Sequence, residues 1–202
     1  MRPMTDLPLD KLKGYTLILA SGSPRRQAFF QEMGVTAMVR TKEVEEHYPE
    51  HLNGAEIADY LAVLKAEAQR GQLREKELLI TSDTVVWHND TSLAKPQTEQ
   101  EAKEMLRQLS GDWHEVITAV CFTTSTRQKV VHHTTQVKFR ELLASEIAHY
   151  VANYQPFDKA GGYGIQEWIG KIGIKKINGC FYNVMGLPTP LLYDHLNSFM
   201  NE

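Results

Sequence analysis

Residues 17–35 read LILASGSPRRQAFFQEMGV. The span Tyr15 to Ala20, with its compact apolar run TLIL, predicts a short buried strand. A helix is expected at once after it. Ser23 suits the N-cap, Pro24 suits the first helical position with its preset φ and missing N–H, and Phe29, Phe30 and Met33 have the spacing of one apolar face. Gly34 supplies the stop. Arg25 and Arg26 stand out in this pattern, because the first turn of a helix already carries partial positive charge and normally attracts acids. Two arginines there are sensible if an anion sits on the loop, and phosphate at a strand-loop-helix junction is the commonest such anion. The alternative is that both side chains are simply solvated.

Working outward, Thr36 to Thr41 reads as a second strand, and the acidic stretch 42–54, KEVEEHYPEHLNG, as a loop. Ile57, Leu61, Leu64 and Ala68 give an amphipathic helix from Ala55 to about Gly71. Residues 77–90, ELLITSDTVVWHND, are apolar on both sides of a polar centre, followed by a loop with AKPQ and a helix from about Thr98 to Leu109. Residues 113–124 and 128–140 are rich in Val, Thr, Ile and Phe and flank a short polar turn, which predicts a long antiparallel hairpin. A helix near Ser145 to Tyr154, a glycine-rich stretch QPFDKAGGYGIQEW, an alternating stretch KIGIKKING and a closing helix from about Thr189 to Met200 complete the chain. Helices interleaved with strands, plus one long hairpin, imply an α/β fold with a mixed central sheet, flanking helices and a cleft.

The 202 residues suffice for one large domain or two small lobes. A net charge of −3 argues against a chain whose main task is to coat DNA or RNA, so any phosphate recognition must be local. The two cysteines, Cys121 and Cys180, lack CxxC spacing and read as reduced thiols. Residues 1–14 lack the apolar core of a leader, and no later run approaches membrane-spanning length, so the expectation is a cytoplasmic domain over 15–202 behind a short N-terminal extension.

Asp83 lies inside an otherwise apolar strand, where Asp is depleted. A carboxylate there must be paired, bind a metal or do proton chemistry. Lys95 follows on a loop that Pro96 restrains. Glu45 and Glu46 offer the oxygen ligands that Mg²⁺ prefers, although an acidic loop is more often solvated. The histidines show no metal-ligand spacing. Gly161, Gly162 and Gly164 allow close backbone approach, and Gln166 just beyond them presents a donor and an acceptor on one amide. That pair suits a uracil or thymine edge, where a carbonyl adjoins an N–H, whereas guanine offers two adjacent donors and would prefer a carboxylate.

Taken in order, LASGSPRR, SDTVV, AKP, LSGDWHEVIT, DKAGGYGIQ and FYNVMGLP closely resemble the Maf family of nucleoside triphosphate pyrophosphatases, over about residues 17–196. The resemblance implies a fold related to inosine triphosphatase, with a groove between two lobes, and hydrolysis of nucleotides between the α and β phosphates with a divalent metal such as Mg²⁺, Mn²⁺ or Co²⁺. It puts Asp83 on the family's proton acceptor, Ser21, Ser23 and Arg26 on its phosphate-handling loop, and Lys65 and Lys95 on its phosphate-facing lysines. Glu46, with Asp83, falls on its metal region. Arg25, Thr84 and Gln166 look like the subgroup acting on dTTP and UTP. Ser82, Ala94, Asp112 and Glu167 depart from the usual pattern, and Glu167, beside Gln166, is expected to bear on base selectivity. The partners implied are a nucleoside triphosphate, no nucleic-acid polymer and no membrane, with a homodimer allowed. The competing readings are the same reaction on a purine or 7-methyl-GTP type nucleotide, and a nucleotide-binding regulator of cell division. A regulator would have no use for a base such as Asp83 among its phosphate ligands.

Overall fold

The computed structural model describes Leu12 and residues 14 to 199. The chain folds in the order β1 (Thr16–Leu19), α1 (Pro24–Glu32), β2 (Met38–Val39), α2 (Ala55–Arg70), β3 (Glu77–His88), β4 (Thr91–Leu93), α3 (Glu99–Leu109), β5 (Trp113–Thr123), β6 (Gln128–Phe139), α4 (Ala144–Tyr154), a 3-10 turn (Ala160–Gly162), α5 (Trp168–Gly173), β7 (Ile174–Asn178), α6 (Phe181–Val184) and α7 (Thr189–Phe199). The strands form one mixed sheet in the order β2-β1-β3-β5-β6-β7, with β4 also paired to β3. β1 is parallel to β2 and β3, and the remaining pairs are antiparallel.

Alternation along the strands divides the core between the two faces. Leu17, Leu19, Leu78 and Ile80 pack with Phe29 and Phe30 of α1 and Leu192, Leu196 and Phe199 of α7, while Ile18 and Leu79 pack with Ile57, Leu61 and Ala66 of α2. A further cluster gathers Val86, Val116, Val137 and Phe139 at the other end of the same long strands under α3, α4 and α5. β3, β5 and β6 therefore run through both lobes. β1 pairs with β3 only as far as Ile80, and β4 takes up the same edge again at Val86. Between those points this edge of β3 has no partner strand, and Asp83 lies in the gap.

The fold class is as the sequence predicts, and four local features differ. The second strand is reduced to Met38–Val39, both of them exposed, so little burial rewards a longer pairing. β4 is a three-residue strand set by the Asn89 and Asp90 turn, both with positive φ. In the tail, the alternation of KIGIKKING begins as the helix α5, because an added Cβ at Gly170 would lie 1.8 Å from the Ile165 carbonyl oxygen and only glycine permits that turn. α6 is a single short turn after Cys180. Most of the N-terminal extension lies outside the described residues; Leu12 is buried in the α1 and α7 cluster, and its carbonyl accepts the Tyr15 N–H at 2.9 Å. Among the described residues no helix is long and apolar enough to cross a membrane.

The core of the α3–α5 lobe contains a histidine. His114 stacks on Phe139, and its Nε2 lies 2.7 Å from the Tyr163 hydroxyl. Burial, followed by the nearby His88 charge, lowers its pKa from 6.5 to about 3. Below the ordinary histidine pKa the unfolded chain binds a proton that the folded chain refuses until about pH 3, so stability is lost as pH falls through that window. Thermal melts between about pH 6.5 and 4 should show a steeper fall in Tm for the native chain than for His114→Gln. Equal slopes would mean that His114 is not the responsible group.

Candidate active site

The gap in β3 opens into a cleft of about 420 Å³, which adjoins a second hollow of about 680 Å³ along the β1–α1 loop. The first is lined by Thr84, Val86, Val116, Tyr163, Gln166 and Met185 among others, and the second by Ser21, Gly22, Ser23, Thr41 and Lys42. Both share Arg25, Arg26, Glu46, Lys65, Lys95 and Asp158. The first hollow takes in the side chains of Val86, Val116, Val184 and Met185, and the second the hydroxyls of Ser21 and Thr41 and the start of α1.

Asp83, only 7% exposed, lines the first of these with the shared Arg26, Glu46 and Lys65. Lys65 reaches it from α2, whose Leu61, Ala62 and Ala66 are buried against the sheet and so fix the orientation of Lys65. The Lys65 ammonium hydrogen-bonds the Asp83 carboxylate and stands 2.8 Å from Glu46 Oε1. Burial raises the Asp83 pKa above the ordinary aspartate value, and the Lys65 charge and hydrogen bond oppose that rise without cancelling it. Glu46 behaves in the opposite way. Its partial burial is outweighed by Lys65, Lys95 and Arg26, which hold its carboxyl below the usual range. One ammonium thus lies between two carboxylates, the arrangement that a hard cation with oxygen ligands would also satisfy. Among the described residues no group of three or more His, Cys, Asp or Glu is placed to hold a metal ion, so phosphate oxygens and water would have to complete such a shell, as Mg²⁺ commonly accepts.

The β1–α1 loop is built as a helix start. Ser23 has extended backbone angles at the N-cap, and Gly34, at φ +70°, ends the helix with Val35 N–H bonding the Phe30 carbonyl at 2.8 Å. The expected side-chain cap is absent: the Ser23 hydroxyl makes no cap hydrogen bond, while Ser21 Oγ accepts the Ser23 N–H at 3.2 Å. The arginines also have protein partners. Arg25 donates to Asp158 Oδ2 at 3.0 Å across the cleft. Arg26 donates to the carbonyls of Gly186 at 2.8 Å and Ser82 at 2.9 Å and to Thr84 Oγ1 at 3.0 Å, leaving two of the five guanidinium N–H donors uncommitted. The Ser82 carbonyl lies on the strand edge that β1 and β4 leave open, so Arg26 satisfies it in place of a strand. The Lys95 side chain, by contrast, is exposed after β4 and makes no hydrogen bond or ion pair among the described residues.

Gln166 comes to the cleft on the glycine stretch. Gly161, at φ +69°, presses on Val86, where an added Cβ would lie 3.0 Å from the valine side chain, and its N–H bonds the Ala94 carbonyl at 3.2 Å. This contact fastens the stretch to β3 and to the Lys95 loop. The Gln166 amide is half-buried and makes no hydrogen bond, so its donor and acceptor are both available.

Comparison with known proteins agrees with this arrangement. The family model described as Maf-like protein matches residues 16–199. The dTTP/UTP pyrophosphatase of Christiangramia forsetii is 52% identical over 191 residues, covering 95% of this chain and 97% of that protein. The proteins of the same name from Flavobacterium johnsoniae and Bacteroides thetaiotaomicron are 48% and 50% identical, covering 95% and 93% of this chain and 98% of each relative. The chain belongs to the Maf family. Among solved structures, the Staphylococcus aureus Ham1 protein superposes with a TM-score of 0.50 at 14% identity, covering 91% of this chain and 99% of that one, a likeness of fold alone.

In this Maf chain every residue singled out from the sequence for the site lies on the cleft or its adjoining hollow, with Ser21 confined to the latter. Lys159 and Asp158 also line it and were not singled out, although a charged pair separated from a glycine run by Ala160 alone was a readable signal. The buried network from Thr84 through Thr118 to the Asn183 carbonyl, at 2.9 and 3.1 Å, fixes the wall at Val184–Gly186 and had no local signal. Glu167, expected to bear on base selectivity from beside Gln166, does not itself line the cleft; its carboxylate is held by Tyr150 and Lys159.

Arg26→Lys keeps the charge but cannot serve three acceptors. It should destabilise the nucleotide-free protein by about 2 kcal/mol, since buried carbonyl and hydroxyl groups lose their partners. Urea unfolding measures this, and an unchanged midpoint would show that these bonds contribute nothing to the fold.

Proposed function

We propose that this chain hydrolyses dTTP and UTP to the nucleoside monophosphate and pyrophosphate. The observation that carries the reading is that Asp83 lines one cleft with an uncommitted Gln166 amide and with Arg25, Arg26, Lys65 and Lys95, cations that also line the hollow of the β1–α1 loop. The names of its Maf relatives support the same substrates. A pyrimidine placed against Gln166 gives its carbonyl to the amide N–H and its ring N–H to the amide oxygen. The triphosphate then runs past Asp83 toward Ser23 and α1, so that the phosphorus nearest Asp83 is the one nearest the nucleoside.

In this pose Asp83 takes the proton from the attacking water. Its raised pKa makes it a stronger base than an exposed aspartate, and the Lys65 hydrogen bond orients it. Lys95 meets the phosphates directly, while the uncommitted N–H groups of Arg26, the Ser21 and Ser23 hydroxyls and the first-turn amides of α1 hold their oxygens. Arg25 reaches the phosphates by exchanging Asp158 for them. Thr84, held by Arg26 and Thr118, borders the base. Glu46 and Asp83 would hold a divalent cation, Mg²⁺, Mn²⁺ or Co²⁺. When bound, it shields negative charge on the phosphate oxygens. The free thiols of Cys121 and Cys180, the first pushed up to about pKa 11 by burial, fit a cytoplasmic enzyme.

Three outcomes test this reading. Asp83→Asn should keep the fold and lower kcat on UTP by roughly 10²- to 10⁴-fold; near-normal turnover by the folded variant would remove Asp83 as the base. Chromatography of the products should show monophosphate and pyrophosphate, and diphosphate with orthophosphate would overturn the reaction assigned. Gln166→Glu removes the donor and sets a carboxylate against a carbonyl, so kcat/KM for UTP and dTTP should fall relative to GTP. A ratio that does not move would detach Gln166 from base choice.

A further inference from the structure

Glu167 begins α5 as its N-cap, yet its side chain makes no cap hydrogen bond. It folds back instead toward the glycine stretch. The Tyr150 hydroxyl of α4 donates to Glu167 Oε2, and the same hydroxyl accepts the Gly164 N–H at 3.0 Å. Glu167 Oε1 lies 3.1 Å from Lys159 Nζ, whose side chain is only 10% exposed and which also bonds Asp158 at 2.6 Å. Gly164 shows how tightly these groups are gathered. A Cβ added there would stand 2.9 Å from Glu167 Cδ, 3.0 Å from Lys159 Cε and 3.1 Å from Gln166 Nε2. The carboxylate, the lysine stem and the amide therefore converge on one glycine.

Lys159 lines the cleft together with Gln166, both side chains crowd Gly164, and an ammonium released there would find an acceptor in the amide oxygen. A lysine bonded there would occupy the oxygen that must accept the ring N–H of a pyrimidine. Asp158 alone is a weak restraint on it, since Asp158 is 58% exposed and also bonds Arg25. Glu167, 20% exposed and itself held by Tyr150, is the firmer partner. We propose that Glu167 is a positioning residue for base selectivity: it holds the Lys159 ammonium off the Gln166 amide, and so keeps that amide free to read the pyrimidine edge. The proposal rests on the base-reading role given to Gln166.

The test compares kcat and KM for UTP, dTTP and GTP in the full-length native chain and in Glu167→Gln, Tyr150→Phe, Gln166→Ala and the double variant Glu167→Gln/Lys159→Met. Glu167→Gln preserves the shape and an acceptor for Tyr150 but releases Lys159. It should lower kcat/KM for UTP and dTTP about tenfold, the effect of losing one hydrogen bond, through KM rather than kcat and with less change for GTP. Removing the released ammonium in the double variant should restore most of that loss, which a merely structural role for Glu167 would not do. An unchanged UTP to GTP ratio in folded Glu167→Gln, or no recovery in the double variant, would overturn the proposal. If Glu167→Gln does not fold, Tyr150→Phe decides: it loosens Glu167 from one side and should move the ratio in the same direction by a smaller factor, and no movement overturns the proposal. Gln166→Ala separates the two claims. If it leaves the ratio untouched, the role of Gln166 itself fails; if it abolishes the preference while Glu167→Gln does not, only the role of Glu167 fails.

Discussion

A carboxylate in the middle of a buried strand sets the terms for the rest of this molecule. Asp83 stands on β3 where an apolar side chain would be cheaper to bury, and the structure meets that cost locally. α2 brings Lys65 to it, the edge of β3 is left without a strand between Ile80 and Val86, and the loop carrying Glu46 closes over the lysine. Each of these needs the others. A continuous β1 or β4 along that edge would cover the gap into which the cleft opens, and a gap without Arg26 would leave the Ser82 carbonyl unpaired at the strand edge. Arg26 therefore belongs as much to the architecture as to anion binding.

The long strands explain why the site lies where it does. β3, β5 and β6 serve two separate apolar clusters, one under α1 and α7 and the other under α3, α4 and α5. The cleft forms between the two sets of helices, across strands that both share. The Val86, Tyr163 and Gln166 side of the cleft comes from the second lobe and the wall after Asn183, and the hydroxyls of the β1–α1 loop come from the first. Asp83 lies on a strand common to both. It therefore keeps its relation to each half without a hinge.

Much of this was legible in the sequence because it rests on local pattern. The run before Ser23, the periodicity of α2, the apolar flanks of Asp83 and the β-rich pair 113–124 and 128–140 all name their elements within a short window. Asp83, Lys95 and Gln166 were visible as anomalies, a charge in a strand, a lysine beside a restrained backbone and an amide after glycines. What escaped depends on distant partners. α5 is a helix because Gly170 must pass under the Ile165 carbonyl, Arg26 is committed by Gly186 and Thr84, and Glu167 turns away because Tyr150 waits on α4. None of those contacts leaves a trace in the residues adjoining it. The free Ser23 hydroxyl likewise follows from Ser21 and the loop geometry rather than from the N-cap pattern, which it fits.

The central claim is that Asp83 activates water at the phosphorus next to the nucleoside, with the base held on the Gln166 side. Hydrolysis of UTP in water enriched in oxygen-18, followed by mass spectrometry of both products, tests this most directly. The account predicts the label in the nucleoside monophosphate and none in the pyrophosphate, because the water bonds to the α phosphorus. Label in the pyrophosphate would place the attack on the β phosphorus and contradict the orientation of substrate across Asp83.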